Sequence, residues 1–150
     1  MEIGAGKGYP ASALSNFAPH RFELDGVICS SMEGFLQSLK FKNPDMQRHV
    51  CSLVGRKAKF KGKPKRWWVK QTLYWRGIPI DRHSQEYQDL LDRAFDALST
   101  NSKFQLALLS TGNATLEHSI GRINPRETIL TRSEFTSRLR KIRERLRKVC

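Results

Sequence analysis

The sequence predicts an α+β fold, mainly helical with short β-hairpins, in a single domain covering residues 1–150. Three observations carry this. Apolar residues recur at helical spacing in several separated segments, each preceded by a capping residue. Two short strand-like segments fold about turn dipeptides, Asp25-Gly26 and Arg76-Gly77. No internal repeat, low-complexity segment or linker divides the chain. A chain of 150 residues is one domain by length and buries roughly two-thirds of its unfolded surface.

The elements follow in order. Residues 1–13 are Gly-rich and read as a loose opening segment; the Gly4-Ala5-Gly6-Lys7-Gly8 run lacks the spacing of a phosphate loop and follows no strand. Residues 21–24 alternate as a strand, Asp25-Gly26 turns the chain, and Val27-Ile28-Cys29 returns. Ser30-Ser31-Met32-Glu33 has capping-box spacing and opens a helix over 32–42, with Phe35, Leu36 and Leu39 on one stripe. Asn43-Pro44 restarts a second helix, and residues 53–65 read as a basic connection broken by Gly55, Gly62 and Pro64. A hairpin about Arg76-Gly77 falls within 68–80. Ser84 caps the clearest helix, with Tyr87, Leu90, Leu91, Ala94, Phe95 and Leu98 on one face. A helix over 102–110 carries Phe104, Leu106, Leu108 and Leu109, and ends before Gly112. Thr131-Arg132-Ser133-Glu134 is a second capping box, followed by Phe135, Leu139, Ile142 and Leu146 on an inward stripe.

Composition narrows the partners. Twenty-seven Lys and Arg against fourteen Asp and Glu give a formal net charge of +13, which favours an anionic ligand, either nucleic acid or a phosphorylated small molecule. The excess is localised. Arg56, Lys57, Lys59, Lys61, Lys63, Lys65, Arg66, Lys70, Arg76 and Arg82 face Asp81 alone, and the last helix adds a second run from Arg138 to Lys148. No stretch reaches the ~18 to 20 apolar residues of a membrane span, and the N-terminal residues lack a signal pattern. No membrane partner and a cytoplasmic setting are therefore expected. Cys29, Cys51 and Cys150 are odd in number and lack metal-ligand spacing, so they read as reduced thiols.

Few residues offer chemistry. His20, His49, His83 and His118 are dispersed, without the spacing of a metal site or triad, and read as surface or satisfied histidines. No Ser or Cys nucleophile sits in a recognisable elbow. Glu33 admits two readings, a capping partner or a chemical group. The second gains from Gln37 and Lys40, which return to its helix face at i+4 and i+7 and could address a sugar and a phosphate. Trp67-Trp68 lies inside the basic stretch. The pair suits base stacking beside phosphate contacts, or one core and one half-buried indole.

At Leu14-Ser15-Asn16-Phe17, then Phe22 with Leu24-Asp25-Gly26, then Met32-Glu33-Gly34-Phe35 with Gln37 and Lys40-Phe41, the chain resembles the NADAR superfamily of YbiA-like proteins. Looser agreement at Gly55-Arg56, Val69-Lys70 and Phe104 to Ala114 extends the resemblance over most of the length, and details look closest to a bacteriophage branch. The resemblance implies the YbiA-like fold and N-glycosidase chemistry, hydrolysing the bond between ribose C1 and nitrogen without a cofactor or metal. The implied substrate is an ADP-ribose-like or phosphorylated ribosyl compound, including ADP-ribosylated guanine in nucleic acid. It places the catalytic glutamate at Glu33, a substrate-facing tryptophan at Trp67 or Trp68, and the ribose-phosphate pocket at Ser15, Asn16, Phe17 and Lys40. The chain departs from the family twice. A Glu-His dipeptide becomes Glu33-Gly34, and a later acidic residue has no clean counterpart, which leaves Glu127 as the nearest carboxylate for a second catalytic role. A non-catalytic binding module for nucleic acid or ADP-ribose is the alternative. The sequence carries no signal for oligomeric state.

Overall fold

Two tight turns set the two hairpins. In the computed structural model, which describes residues 1–149, Asp25 and Gly26 have φ of 51° and 78°, and Arg76 and Gly77 have φ of 53° and 82°. Paired positive φ values twist with the flanking strands and allow a two-residue connection. β1 (Phe22–Leu24) pairs antiparallel with β2 (Val27–Cys29), and β3 (Thr72–Trp75) with β4 (Ile78–Asp81), as two separate sheets. Asp25 also accepts from the Trp75 indole at 2.8 Å and from Arg93, tying the first turn to the second hairpin.

Six α-helices surround these hairpins: α1 (Met32–Ser38), α2 (Pro44–Cys51), α3 (Gly55–Gly62), α4 (Gln85–Leu98), α5 (Ser102–Leu109) and α6 (Arg132–Val149). The α+β class expected from the sequence is the class observed. α1 stops short of residue 42. Beyond Ser38 the carbonyls find tertiary partners: Leu39 C=O accepts from Tyr74 N–H at 2.8 Å, and the buried Gln47 amide donates to the Ser38 and Tyr74 carbonyls at 3.0 and 2.8 Å. Helix-end carbonyls satisfied from outside need no further helical turn. Asn43 caps α2 as expected, its Oδ1 accepting from Asp45 and Met46 N–H at 2.9 and 3.0 Å.

Two expectations are corrected. The basic connection at 53–65 contains α3, whose buried residues are Ala58 and Gly62, one turn apart. Their contact is with α1, so the burial that stabilises this helix comes from a distant partner and not from a local apolar stripe. The opening segment is not loose. Ile3 N–H donates to Glu117 C=O at 2.9 Å, Glu117 N–H donates to Met1 C=O at 2.9 Å, and Ile3 is 1% exposed. This makes a parallel bridge between Glu2 and Glu117.

α4 buries all six residues of its expected face, and Ser84 caps it through Tyr87 N–H at 3.2 Å. α5 faces inward with Phe104, Ala107 and Leu108, leaving Leu106 exposed, since a helix this short presents a narrower stripe than its composition suggests. The second capping box forms in full: Thr131 N–H donates to Glu134 Oε1 at 2.8 Å, and Glu134 N–H donates to Thr131 Oγ1 at 3.1 Å. Phe35, Leu39, Leu73, Leu91, Phe95, Phe135 and Leu139 lie in one hydrophobic core to which both hairpins contribute. Cys29 and Cys51 are buried free thiols, and Cys150 lies outside the described residues. Among the described residues no helix is long and apolar enough to cross a membrane.

Arg82 is the largest fully buried side chain. Its guanidinium donates to both Glu134 oxygens at 3.0 and 2.7 Å and to Thr128 C=O at 3.0 Å, and lies 4.7 Å from the Tyr87 ring centre. Burial opposes the Glu134 charge, but hydrogen bonds from Arg82, Gln88 and Thr131 hold its carboxyl below the ordinary value. Removing one partner strands a buried charge. Arg82→Met is therefore expected to cost about 3–5 kcal/mol in urea unfolding at pH 7. Because the Glu134 pKa is lowered on folding, its contribution is present above the unfolded value and lost as pH falls through the folded one. The difference between wild type and Arg82→Met should shrink in acid; a pH-independent difference would contradict the assignment.

Candidate functional site

α1 begins one residue later than the capping box requires. Ser31 is the cap: its Oγ accepts from Gly34 N–H at 3.0 Å and donates to Leu53 C=O at 2.9 Å. Glu33 is consequently out of register with the box, and its carboxylate is not used to close the helix end. Its N–H donates to Asn16 C=O at 2.9 Å, which ties the start of α1 to the segment following a 3₁₀ turn over Ser12–Leu14. The Gln37 amide donates to Glu33 Oε2 at 2.7 Å, so one oxygen is fixed and the carboxylate plane is set.

Glu33 opens into a cleft of about 410 Å³. Ser15, Asn16, Phe17 and Gln37 share it, as the sequence anticipated for these residues. Phe17 N–H donates to Ser15 Oγ at 3.2 Å, a turn that holds the 15–17 segment in place. The remaining walls were not anticipated: Gly4, Ala5 and Gly6 from the opening segment, Lys59 from α3, and His118 with Ile120 from beyond the Glu2–Glu117 bridge. Burial pushes the Glu33 carboxyl above its ordinary value, and the Gln37 hydrogen bond with the charges of Lys40, Lys59 and His118 pulls it part of the way back. A half-buried carboxylate held by an amide, with its pKa raised, holds a proton more readily than an ordinary glutamate does. Among the described residues no cluster of three His, Cys, Asp or Glu is arranged to hold a metal ion.

The other anticipated residues lie elsewhere. Lys40 and Trp67 line a neighbouring cleft of about 370 Å³, with Lys65, Arg66, Lys70 and Tyr74. Burial lowers the Lys40 pKa, and the Glu33 charge opposes that shift, so the two clefts communicate electrostatically. Trp67 is mostly buried. Trp68 is 47% exposed and lines neither cleft. Glu127 is also in neither. Its turn folds outward, with Glu127 N–H on Asn124 C=O at 3.0 Å and the Gln71 amide on Arg126 C=O at 2.9 Å, and its carboxylate is exposed beside Arg122. Glu127, expected as the carboxylate nearest to the position of the absent later acid, does not converge with Glu33. Gln37, anticipated as a substrate ligand, donates to Glu33 instead. Its Oε1 has no hydrogen-bond partner among the described residues and packs on Gly62, where a Cβ would lie 1.9 Å from it.

The bacteriophage protein GP30.3 family matches residues 8–144 of the chain. The chain belongs to this family. It is 37% identical over 149 residues to an uncharacterized 17.1 kDa protein from the Gp30-rIII intergenic region of Enterobacteria phage T4, covering 97% of this chain and 98% of that protein. The phage branch expected from the sequence blocks is thus the one found. The GP30.3 chain also shares its fold with the E. coli protein YbiA, whose NMR structure aligns with a TM-score of 0.60 at 16% identity, over 98% of this chain and 83% of that one.

The Glu33-Gly34 departure has a steric cause in this GP30.3 protein. A Cβ on Gly34 would lie 2.5 Å from Leu53 C=O and 3.0 Å from the Cys51 and Val50 carbonyls. α1 rests directly on the end of α2, and no side chain fits between. Gly34→Ala is expected to destabilise by about 1–3 kcal/mol, through overpacking against backbone that cannot rotate away; thermal unfolding at neutral pH measures it, and an unchanged midpoint would refute the contact. Gln37→Leu removes the hydrogen bond that favours ionised Glu33, so the Glu33 pKa should rise further. A carbon-detected NMR titration of the side-chain carboxyl reads this directly; an unmoved or lowered value would show that the amide does not hold the carboxylate.

Proposed function

We propose that this GP30.3 protein is an N-glycosidase that hydrolyses a ribose C1–nitrogen bond, with an ADP-ribose-like group on guanine in nucleic acid as the substrate class. The observation that carries this is the state of Glu33, desolvated, held by Gln37, and open to a cleft large enough for a ribose. Cleavage of a glycosidic bond passes through an oxocarbenium-like state. A carboxylate beside C1 stabilises that positive charge and takes a proton from the attacking water. The similarity to YbiA supports the same reading at the level of fold.

The adjoining surface fits the rest of such a substrate. Lys40, Lys65, Arg66 and Lys70 around Trp67 supply cations for phosphates and a ring for a base. Along α3 and just after it, Arg56, Lys57, Lys61 and Lys63 are exposed, with Phe60 of α3 55% and the later Trp68 47% exposed. Cations interleaved with exposed aromatics suit a nucleic-acid strand. The site lies in a protein with no membrane-spanning helix among its described residues, consistent with action in the host cytoplasm.

A second reading, a binding module for nucleic acid or ADP-ribose without turnover, is favoured by one observation: Glu127 is remote from the cleft. Incubation with ADP-ribosylated guanine DNA, followed by chromatography of released ADP-ribose, separates the two. Release is expected, and Glu33→Gln should slow it by about 10²–10⁴-fold. Activity should fall in acid as Glu33 takes up its proton, over a range above that of an ordinary glutamate because burial raises its pKa. Salt-dependent DNA binding without release, or undiminished release by Glu33→Gln, would overturn the enzymatic reading.

A further inference from the structure

The cleft holds one carboxylate, and hydrolysis of an amine-linked ribose needs a second proton-carrying group for the departing nitrogen. We infer that His118 is this group. The inference rests on the N-glycosidase reading and assigns the role that Glu127 does not reach. His118 Nδ1 lies 3.0 Å from Ile3 C=O, and a carbonyl only accepts, so Nδ1 carries hydrogen in both protonation states. The ring is further fixed edge-to-face on Phe135, with centroids 5.0 Å apart at 78°. Nε2 has no partner among the described residues, and the side chain lines the same cleft as Glu33. A backbone carbonyl that fixes Nδ1–H leaves Nε2 as the single site at which this imidazole gains or loses a proton.

The charged neighbours come from every packed element. Lys59 of α3 and Lys40 after α1 act on Glu33 along with His118. Glu2 lies near enough to His118 and Lys7 to feel both charges, and its carboxylate accepts from Ser119 N–H at 3.2 Å. The Arg132 side chain packs beside His118 at Gly121, and its guanidinium is turned to Gly121 C=O. Lys59 and Lys40 are suited to phosphate charge, whereas imidazole is the side chain whose proton moves near neutral pH.

The proton inventory closes. Glu33 starts as carboxylate and His118 as imidazolium. Water bonds through oxygen to C1 and gives one proton to Glu33. The C1–nitrogen bond breaks with its electron pair on nitrogen, which takes the Nε2 proton of His118. The cycle leaves Glu33 protonated and His118 neutral, and one proton passing between them through solvent restores both. Water is the only co-reactant consumed.

His118→Asn tests the role, because its amide can keep the bond to Ile3 C=O while removing the titrating nitrogen; His118→Ala is the control for loss of that bond. Two substrates are compared, an amine-linked ADP-ribosyl guanine and a ribosyl pyridinium, whose leaving group departs neutral and needs no proton. With the first substrate, His118→Asn should lose about 10²-fold or more in kcat with little change in KM, and the alkaline limb of the pH profile should flatten. With the pyridinium its activity should be nearly that of wild type, while Glu33→Gln should impair both substrates. Equal loss on both substrates, an unchanged alkaline limb, or full activity of His118→Asn on the guanine adduct would overturn the role and leave the N-glycosidase reading standing. Wild-type protein inert on both substrates would overturn both.

Discussion

The arrangement depends on α1 being seated by two glycine contacts. On one side Gly34 lies under the carbonyls of Val50, Cys51 and Leu53; on the other Gly62 of α3 lies under the Gln37 amide. A methyl group at either point would meet backbone or a fixed side chain. Once α1 is seated, Ser31 caps it and Glu33 N–H reaches Asn16. The direction of Glu33 is then a result of close packing and not of the helix's own end chemistry. Close-packed interiors transmit such displacements, so the site inherits the geometry of contacts that contain no polar function of their own.

What was legible in the sequence was local. The Asp25-Gly26 and Arg76-Gly77 turns, the Asn43 and Ser84 caps and the Thr131 to Glu134 box each act within a few residues, and each forms. α3 was not legible, because its two buried residues pack on α1 and its exposed face is a run of lysines. Glu33, Gln37 and the 15–17 segment could be found together because two short blocks carry them. Lys59 was hidden in the basic run, and His118 looked like one of several unconnected histidines. Nothing short-range joins His118 to Glu33; a backbone bridge between Glu2 and Glu117 does. Glu127, the carboxylate nearest in the sequence to the position of the absent later acid, is carried away from the cleft by an outward turn.

The positive charge is also resolved into parts by the fold. Arg82, Arg138 and Arg143 are buried and hold α4, α6 and the 111–114 turn together, the first two paired with Glu134 and Asp92. The lysines and arginines of α3 and the residues after it stay exposed and border the two clefts. The formal net charge of +13 is therefore displayed on two exposed runs, one along α3 and the residues after it beside the clefts and one along α6.

The bridge of Ile3 and Met1 with Glu117 has a kinetic meaning as well as a geometric one. It closes residues 2–117 into a loop, and closing a longer loop costs more chain entropy. The walls it supplies, Gly4 to Gly6 and His118, are anchored by Ile3 and Leu116 in the core and by His118 packed on Phe135, while Glu33 belongs to the central helix. The cleft is thus a seam between the ends of that loop and the central helix, and it is complete only once the loop has closed.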